Sequence, residues 1–370
     1  MTYAAITGWG KCMPPSILSN ADLATIMDTD DAWITSRTGI RERRISHVSV
    51  TTLAHVAAAR ALACAGLDPA DLDLVVLGSC SYDEQVPNTA SGVQALLGAG
   101  SAAAMDVNTA CTSFLYGLST ANAMIRTGVV RNAVVIGVEV ISPFMDWNNR
   151  NVAVLFGDGA AAVVLQATDE RTGLLAEKLG CYADARHILR VRGMGAAYAN
   201  RGVPLGVTAW DFDGQEIFKR AVRGMTDASA EALQRAGLAI GDIDLVVPHQ
   251  ANLRIIDFVG KRIGADHEHV YLTVERYGNM SAATVPVALV DAIEEGRVKP
   301  GARILTPAFG GGLTYCAHVI QWGDRTTPRQ ASPVELPPCD KSALEMVRAY
   351  MAIKGDAGRA AEGLAAPLAA

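Results

Sequence analysis

Cys111 stands where sulfur chemistry is physically favoured. It lies in Asp106-Val107-Asn108-Thr109-Ala110-Cys111-Thr112-Ser113-Phe114, where a strand should end and an apolar helix begin, with Asn108 or Thr109 able to cap it. A thiol on a first helical turn feels the positive end of the macrodipole, which can lower its pKa from about 8.5 into a range of roughly 3.5–7.5 and populate the nucleophilic thiolate. For such a residue taken alone, a buried structural role competes with chemistry. His249 follows the apolar run Leu245-Val246-Val247-Pro248, and ligands bind at strand ends of α/β sheets; a loop histidine beside the next helix is the bland alternative. Asn279, in Tyr277-Gly278-Asn279-Met280-Ser281-Ala282-Ala283, opens another apolar helix, where an N-cap alone would explain it. Gly310-Gly311-Gly312 follows Ala308-Phe309. Lacking Cβ atoms, that turn lets backbone N–H groups approach an oxyanion, although ordinary turns share the composition.

The elements that must position these residues are written twice. Ala65-Gly66-Leu67 followed by Asp71-Leu72-Asp73-Leu74-Val75-Val76 returns at an offset of 171 as Ala236-Gly237-Leu238 followed by Asp242-Ile243-Asp244-Leu245-Val246-Val247. A recurring offset signals repeated architecture. The same offset lays Asn108-Thr109-Ala110-Cys111 over Asn279-Met280-Ser281-Ala282, so Asn279 occupies the second copy of the Cys111 elbow. His249 falls on Gly78, a position with no side chain in the first copy. Approximate two-fold symmetry between the copies would bring both elbows to the centre. Phe156-Gly157-Asp158-Gly159 resembles Phe309-Gly310-Gly311-Gly312 at an offset of 153, so the first copy carries about 18 additional residues, expected in the loop around Ser142–Val154, since loops absorb insertions cheaply. Each copy reads as helix, short apolar strand and Gly-rich turn, an α/β pattern with a mostly parallel sheet. The expected units are residues 1–172, residues 173–323 and a tail, 324–370, holding a helix from Lys341 to Ile353.

Composition bounds the function. The 370 residues are 50% hydrophobic with a formal net charge of −6, enough apolar content for a large core. That balance argues against nucleic acid or an anionic membrane as the main partner. The seven cysteines are scattered without a C-x-x-C pair or histidines at ligand spacing, which disfavours a zinc site or disulfide framework. Met1–Gly10 lacks the basic and apolar segments of a secretory signal and reads as a first strand. No apolar run reaches the roughly 18 residues of a membrane span. These features lead to the expectation of a soluble cytoplasmic protein.

Five segments carry a resemblance across almost the whole chain to Trp322: Asp31-Ala32-Trp33-Ile34-Thr35-Ser36-Arg37-Thr38-Gly39-Ile40-Arg41-Glu42-Arg43, Phe156-Gly157-Asp158-Gly159-Ala160, Pro248-His249-Gln250-Ala251-Asn252-Leu253-Arg254-Ile255, Gly278-Asn279-Met280-Ser281-Ala282-Ala283 and Phe309-Gly310-Gly311-Gly312. As a set they resemble β-ketoacyl-acyl-carrier-protein synthase III of the thiolase superfamily. The resemblance implies a thiolase fold with duplicated α/β halves in a layered αβαβα arrangement, a homodimer and a Cys-His-Asn triad on Cys111, His249 and Asn279. It implies acyl transfer from acyl-CoA to Cys111, with the N–H groups of Cys111 and Gly311 holding the oxyanion, then decarboxylative condensation with malonyl on acyl carrier protein, initiating fatty acid biosynthesis without metal or redox cofactor. Trp33 and Arg37 would sandwich the CoA adenine, Arg150 would meet its phosphates, and Phe156, Gly214, Phe218 and Asn252 would line the pantetheine channel. Arg254, Lys261 and Arg262 would meet the carrier protein; a solvated helix face is the equal alternative.

Three departures mark this chain. Val86 stands ahead of Pro87 where acetyl-selective members of the family carry Phe, so primers longer than acetyl are expected; Met280 replaces the usual Thr, and Thr112 follows the nucleophile. Relatives with this triad also acylate hydroxyl or amine acceptors or build polyketides, so a specialised acyltransferase of secondary metabolism is the competing expectation. A non-catalytic scaffold that kept the fold is a third.

Overall fold

A computed structural model describes residues 2–199 and 206–364, with side chains of the last helix described to residue 355. The expected tail residues 365–370 lie outside the described residues.

Nine strands form one mixed sheet: β1 (Tyr3–Cys12), β2 (Leu74–Gly78), β3 (Ala103–Val107), β4 (Asn132–Glu139), β5 (Gly159–Thr168), β6 (Gly173–Cys181), β7 (Leu245–Val246), β8 (Arg303–Gly310) and β9 (Thr314–Gln321), in spatial order β7-β8-β9-β6-β1-β5-β4-β2-β3. The helices that matter for the site are α1 (Asp31–Thr38), α2 (Val50–Ala65), α3 (Ser113–Arg126), α4 (Gly214–Ala236), α5 (Leu253–Ile263), α6 (Thr284–Glu294) and α7 (Ala343–Leu364). Reading outward from the middle, β1-β5-β4-β2 and β6-β9-β8-β7 repeat one order. Among the described residues a single register pair, Ala4 with Gly173, joins the two half-sheets.

The duplication extends to hydrogen bonds. Asn108 Oδ1 accepts from the Ala110 N–H and Asn279 Oδ1 from the Ser281 N–H; Ser113 Oγ donates to the Ala110 carbonyl and Thr284 Oγ1 to the Ser281 carbonyl. Ala110 and Ser281 both adopt positive φ, 50° and 46°, a strained conformation for residues with a Cβ. The insertion falls between β4 and β5, where two short helical turns, Ser142–Phe144 and Arg150–Ala153, replace the tight connection between β8 and β9.

Packing explains the layers. Leu74, Val76, Phe114, Leu115, Val285, Leu289, Ile304 and Cys316 belong to one cluster, so α3 and α6 fill the space between the half-sheets. Outside, α2 covers β1, β4 and β5 through residues such as Leu53, Ala57, Ala61 and Leu62, and α4 covers β6, β8 and β9 through residues such as Ala228, Ala232 and Leu233. The order is helix, sheet, helices, sheet, helix. Glycine permits the close approach of α2 to β1: a Cβ on Gly8 would stand 2.2 Å from the Ala61 carbonyl oxygen.

The tail is folded against the body. Arg325 and Arg329 bond the Cys64 carbonyl, and His47 meets the Pro337 carbonyl. Helix α7 ends later than the sequence indicates and starts at Ala343 because Ser342 and Glu345 form a reciprocal capping pair ahead of it. It buries Ala343, Met346 and Val347, and Lys354 Nζ donates to Thr208 Oγ1, whose hydroxyl donates to the Phe144 carbonyl.

Candidate active site

Cys111, His249 and Asn279 line one cavity of about 1600 Å³ at the strand ends where the two elbows meet. Cys111 lies in a 3-10 turn, Ala110–Thr112, ahead of α3, and is 9% exposed. Burial pushes its thiol up to about 12, with the Glu139 carboxylate also opposing the thiolate. The expected lowering by the helix dipole is therefore corrected: the resting sulfur is a thiol, because desolvation outweighs the dipole of a helix that begins only at Ser113. Against that burial, the Ser281 hydroxyl and the N–H groups of Cys111 and Gly311 act on the Cys111 sulfur and favour its charged form. Gly310 makes this convergence possible, since a Cβ there would lie 2.7 Å from the Cys111 nitrogen.

His249 is carried on the segment after β7, its N–H bonded to the Pro307 carbonyl. Burial holds its pKa down to about 3, so the imidazole is neutral and has one N–H to donate. Asn279 is clamped through its backbone to Leu155 and Gly157, the Phe156-Gly157 segment crossing from the other half. Its Oδ1 is used by Ser281, which leaves the side-chain NH₂ to donate.

Trp33, Arg37, Phe156, Gly214, Phe218, Asn252 and Arg254 also line the cavity. The Arg37 guanidinium already lies over the Trp33 ring, 4.5 Å from its centroid, and Asn252 Nδ2 holds the Arg37 carbonyl. Arg150 does not line this cavity. It lies 4.8 Å from the Trp33 centroid, over the ring that Arg37 also covers, and bonds Asp28 Oδ2 at 3.2 Å beside a smaller cavity. Val86 likewise does not border the cavity of its own chain: it is 83% exposed, on the turn that runs over the surface before Pro87. Lys261 and Arg262 are exposed on the last turn of α5, two helical turns from Arg254, and among the described residues none of the three has an ion-pair partner.

Glu139, at the end of β4, passed unremarked in the sequence. It is fully buried and accepts from the hydroxyls of Ser79 and Ser81, the N–H groups of Cys80 and Ala282, and the Cys80 thiol. Burial raises its pKa. The available signal was positional: the 171 offset sets Glu139 against Gly310. Among the described residues no cluster of three His, Cys, Asp or Glu side chains is placed to hold a metal, and no helix is long and apolar enough to cross a membrane.

Two family models match the chain: 3-oxoacyl-[acyl-carrier-protein] synthase III over residues 105–183 and its C-terminal region over residues 233–322. β-Ketoacyl-[acyl-carrier-protein] synthase III 2 of Vibrio cholerae is 51% identical over 345 residues, 93% of this chain and 95% of the relative. The crystal structure of 3-oxoacyl-[acyl-carrier-protein] synthase III from Aquifex aeolicus superposes with a TM-score of 0.80 at 39% identity, covering 86% of this chain and 100% of that one. The priming β-ketosynthase from the R1128 polyketide biosynthetic pathway gives 0.83 at 33% identity, covering 87% and 97%.

Proposed function

Because the chain belongs to the 3-oxoacyl-[acyl-carrier-protein] synthase III family, we propose that Cys111, His249 and Asn279 perform its condensation of an acyl-CoA primer with malonyl-acyl carrier protein, the first elongation of fatty acid biosynthesis. Cys111 Sγ attacks the primer thioester, and the N–H groups of Cys111 and Gly311 hold the oxyanion while the CoA sulfur leaves. Malonyl-acyl carrier protein then loses carbon dioxide. His249 and Asn279 donate hydrogen bonds to its thioester oxygen as enolate charge develops, and the enolate carbon attacks the acyl-cysteine to release a 3-oxoacyl product.

One observation carries these roles: Cys111, Gly311, His249 and Asn279 all line one cavity. A decarboxylation that leaves an enolate is helped by neutral, preorganised donors, each worth roughly 10²–10³ in rate, and burial keeps His249 neutral. Trp33 and Arg37 receive the CoA adenine at the mouth, and Phe156, Gly214, Phe218 and Asn252 border the pantetheine arm. Arg254, Lys261 and Arg262 offer positive charge to an acidic carrier protein. The protein works as a cytoplasmic homodimer, and its acyl groups arrive and leave on substrates with no further cofactor.

Likeness to the R1128 priming ketosynthase favours a second reading, the same condensation at the start of a polyketide. Mass spectrometry after mixing with acyl-CoA tests the common core: an acyl adduct on Cys111, absent from Cys111→Ala, is expected. Malonyl-acyl-carrier-protein-dependent release of carbon dioxide should follow, and an unmodified wild-type chain would refute the assignment.

A further inference from the structure

The two backbone donors assigned to the oxyanion belong to different halves of the chain. The Cys111 N–H sits on the first elbow, and the Gly311 N–H on the turn between β8 and β9. A displacement of about 1 Å costs on the order of 10² in rate, so their spacing has to be held tightly. Gly310 sets how near they come, since its backbone already touches the elbow where no Cβ fits. We propose that the hydroxyl pair of Thr112 and Thr314 keeps them from drifting apart, each acting as a positioning residue for the oxyanion donors. This rests on the reading that the Cys111 and Gly311 N–H groups stabilise the acyl-transfer intermediate.

Thr112 is fully buried, and Thr314, the first residue of β9, is 8% exposed. Their Oγ1 atoms stand 2.8 Å apart. Thr112 Oγ1 also reaches the Thr109 carbonyl and hydroxyl oxygens at 2.8 and 2.9 Å, and Thr314 Oγ1 reaches the Thr109 carbonyl at 2.9 Å and the Gly311 carbonyl at 3.2 Å. A separation of 2.8 Å is the ordinary O–H···O distance, so one hydroxyl of the pair donates to the other. The one that accepts has its own single proton left for the Thr109 carbonyl, which lies in reach of both. That carbonyl also closes the elbow turn by accepting the Thr112 N–H. The elbow is thereby tied to Thr314, which pairs with Gly310 across the β8–β9 turn. A Thr just ahead of a helix ordinarily spends its hydroxyl on the cap; Thr112 makes no cap bond to α3 and turns to β9 instead.

The second copy shows that the fold does not need the pair. By the 171 offset Thr112 falls on Ala283, and by the 153 offset Thr314 falls on Ala161. Those two alanines are buried in one cluster, and the Ser281–Ala283 turn has the same 3-10 form and packs on β5 as Ala110–Thr112 packs on β9. Methyl groups alone therefore make this junction. Hydroxyls stand in the copy whose elbow N–H must meet a transient charge together with a donor from the other half, and alanines in the copy whose elbow N–H meets a fixed carboxylate. A hydrogen bond adds a set distance and direction that methyl contact lacks.

Thr112→Val and Thr314→Val remove one hydroxyl each at nearly constant volume. Single-turnover acylation of the full chain over a range of acyl-CoA concentrations, followed by intact mass and released CoA, separates the rate at saturation from the half-saturating concentration. Each variant should acylate about 10- to 100-fold more slowly at saturation, up to the cost of losing one oxyanion donor outright, with half-saturation within about twofold of the wild type. Thr112→Ser and Thr314→Ser keep the oxygen and should recover the wild-type rate within about threefold. Thr112→Ala combined with Thr314→Ala reproduces the junction of the second copy, which keeps the fold, and should be no slower than either Val variant because the pair acts as a unit. Alkylation of Cys111 by iodoacetamide uses the same sulfur but develops no oxyanion, so it should proceed at the wild-type rate throughout. Acylation of the Val variants at the wild-type rate would overturn the proposal. Equal losses in acylation and alkylation would overturn it as well, because the pair would then be placing the sulfur rather than the donors. A wild-type chain that is alkylated yet takes no acyl group would instead overturn the acyl-carrier role of Cys111, which keeps the two failures distinct.

Discussion

Adding one methyl group at Gly310 should disable acylation while leaving the protein folded. Gly310 has φ −153° and ψ 179°, extended geometry that alanine adopts freely, so the substitution acts through space alone. The new Cβ would stand 2.7 Å from the Cys111 nitrogen, 3.1 Å from the Thr109 carbonyl oxygen and 3.2 Å from Cys111 Cβ. All three belong to the elbow, and the nearest two are backbone atoms that cannot rotate away. Restoring ordinary contact of about 3.5 Å moves the elbow by roughly 0.8 Å. A displacement of about 1 Å costs on the order of 10² in rate, and loss of one oxyanion donor costs about 10²–10³. Gly310→Ala should therefore acylate at least 100-fold more slowly, about 2.7 kcal/mol in barrier, with overpacking costing about 1–3 kcal/mol of stability. Gly311→Ala is the internal control for crowding, since its Cβ would make only ordinary contacts, Ala110 Cβ at 3.4 Å and the Leu189 carbonyl oxygen at 3.7 Å. The assay is stopped-flow detection of free CoA thiol at saturating acyl-CoA, with thermal melting alongside. Wild-type acylation within about threefold for Gly310→Ala would refute the link between this close approach and the donors.

Asn279→Ala should leave acyl-Cys111 formation intact and lower carbon dioxide release about 100-fold or more, measured by carbon dioxide trapping on pre-acylated protein. Trp33→Ala should raise KM for acyl-CoA with little change in kcat, because the ring lines the cavity under the Arg37 guanidinium and its proposed role is to hold the CoA adenine; a fall in kcat alone would contradict this. Burial depresses the pKa of His249 from 6.5 to about 3, so condensation from pre-acylated protein should show no histidine inflection near pH 6.5. His318 is depressed the same way: the unfolded chain takes up a proton below pH 6.5 that the folded chain refuses until about pH 3, so this histidine costs stability as pH falls through that window. Urea midpoints of His318→Gln should accordingly depend less on pH between 7 and 5 than those of the wild type. Removing residues 325 onward should raise KM and lower the melting temperature, because α7 braces Thr208 and, through it, Phe144 in the cavity wall; unchanged kinetics would show the tail to be dispensable for the site.

Much of this architecture was legible because it occurs twice. The 171-residue offset aligned β2 with β7, located both elbows and anticipated the insertion between β4 and β5. Gly78 and His249 differ for a visible reason: a Cβ at Gly78 would meet the Phe114 nitrogen at 2.7 Å, whereas the second copy has room for an imidazole. Other features depend on long-range burial that no local pattern encodes. Glu139 reads as an acid closing an apolar strand, a common solvated ending, and becomes a buried acceptor only when segments 79–81 and 281–282 fold over it. The Cys111 thiol follows desolvation rather than its helix for the same reason. Arg150 and Val86 sit on surface turns whose direction is set by tertiary contacts such as Asp28 with Arg150.

Gly310 and Glu139 are the same position in the two copies, and the contrast bears on where the oxyanion donors come from. In the second elbow the Ala282 N–H points at the Glu139 carboxylate; in the first, the corresponding N–H belongs to Cys111 and faces a residue with no side chain. Each elbow therefore presents an anion socket, one filled by the protein's own carboxylate and the other left vacant for a transient charge. The vacant socket is already rigid, because the same backbone turn serves an ordinary structural purpose in its twin. Electrostatic readiness for the tetrahedral intermediate is thus a by-product of repetition, obtained by deleting a side chain rather than by adding one.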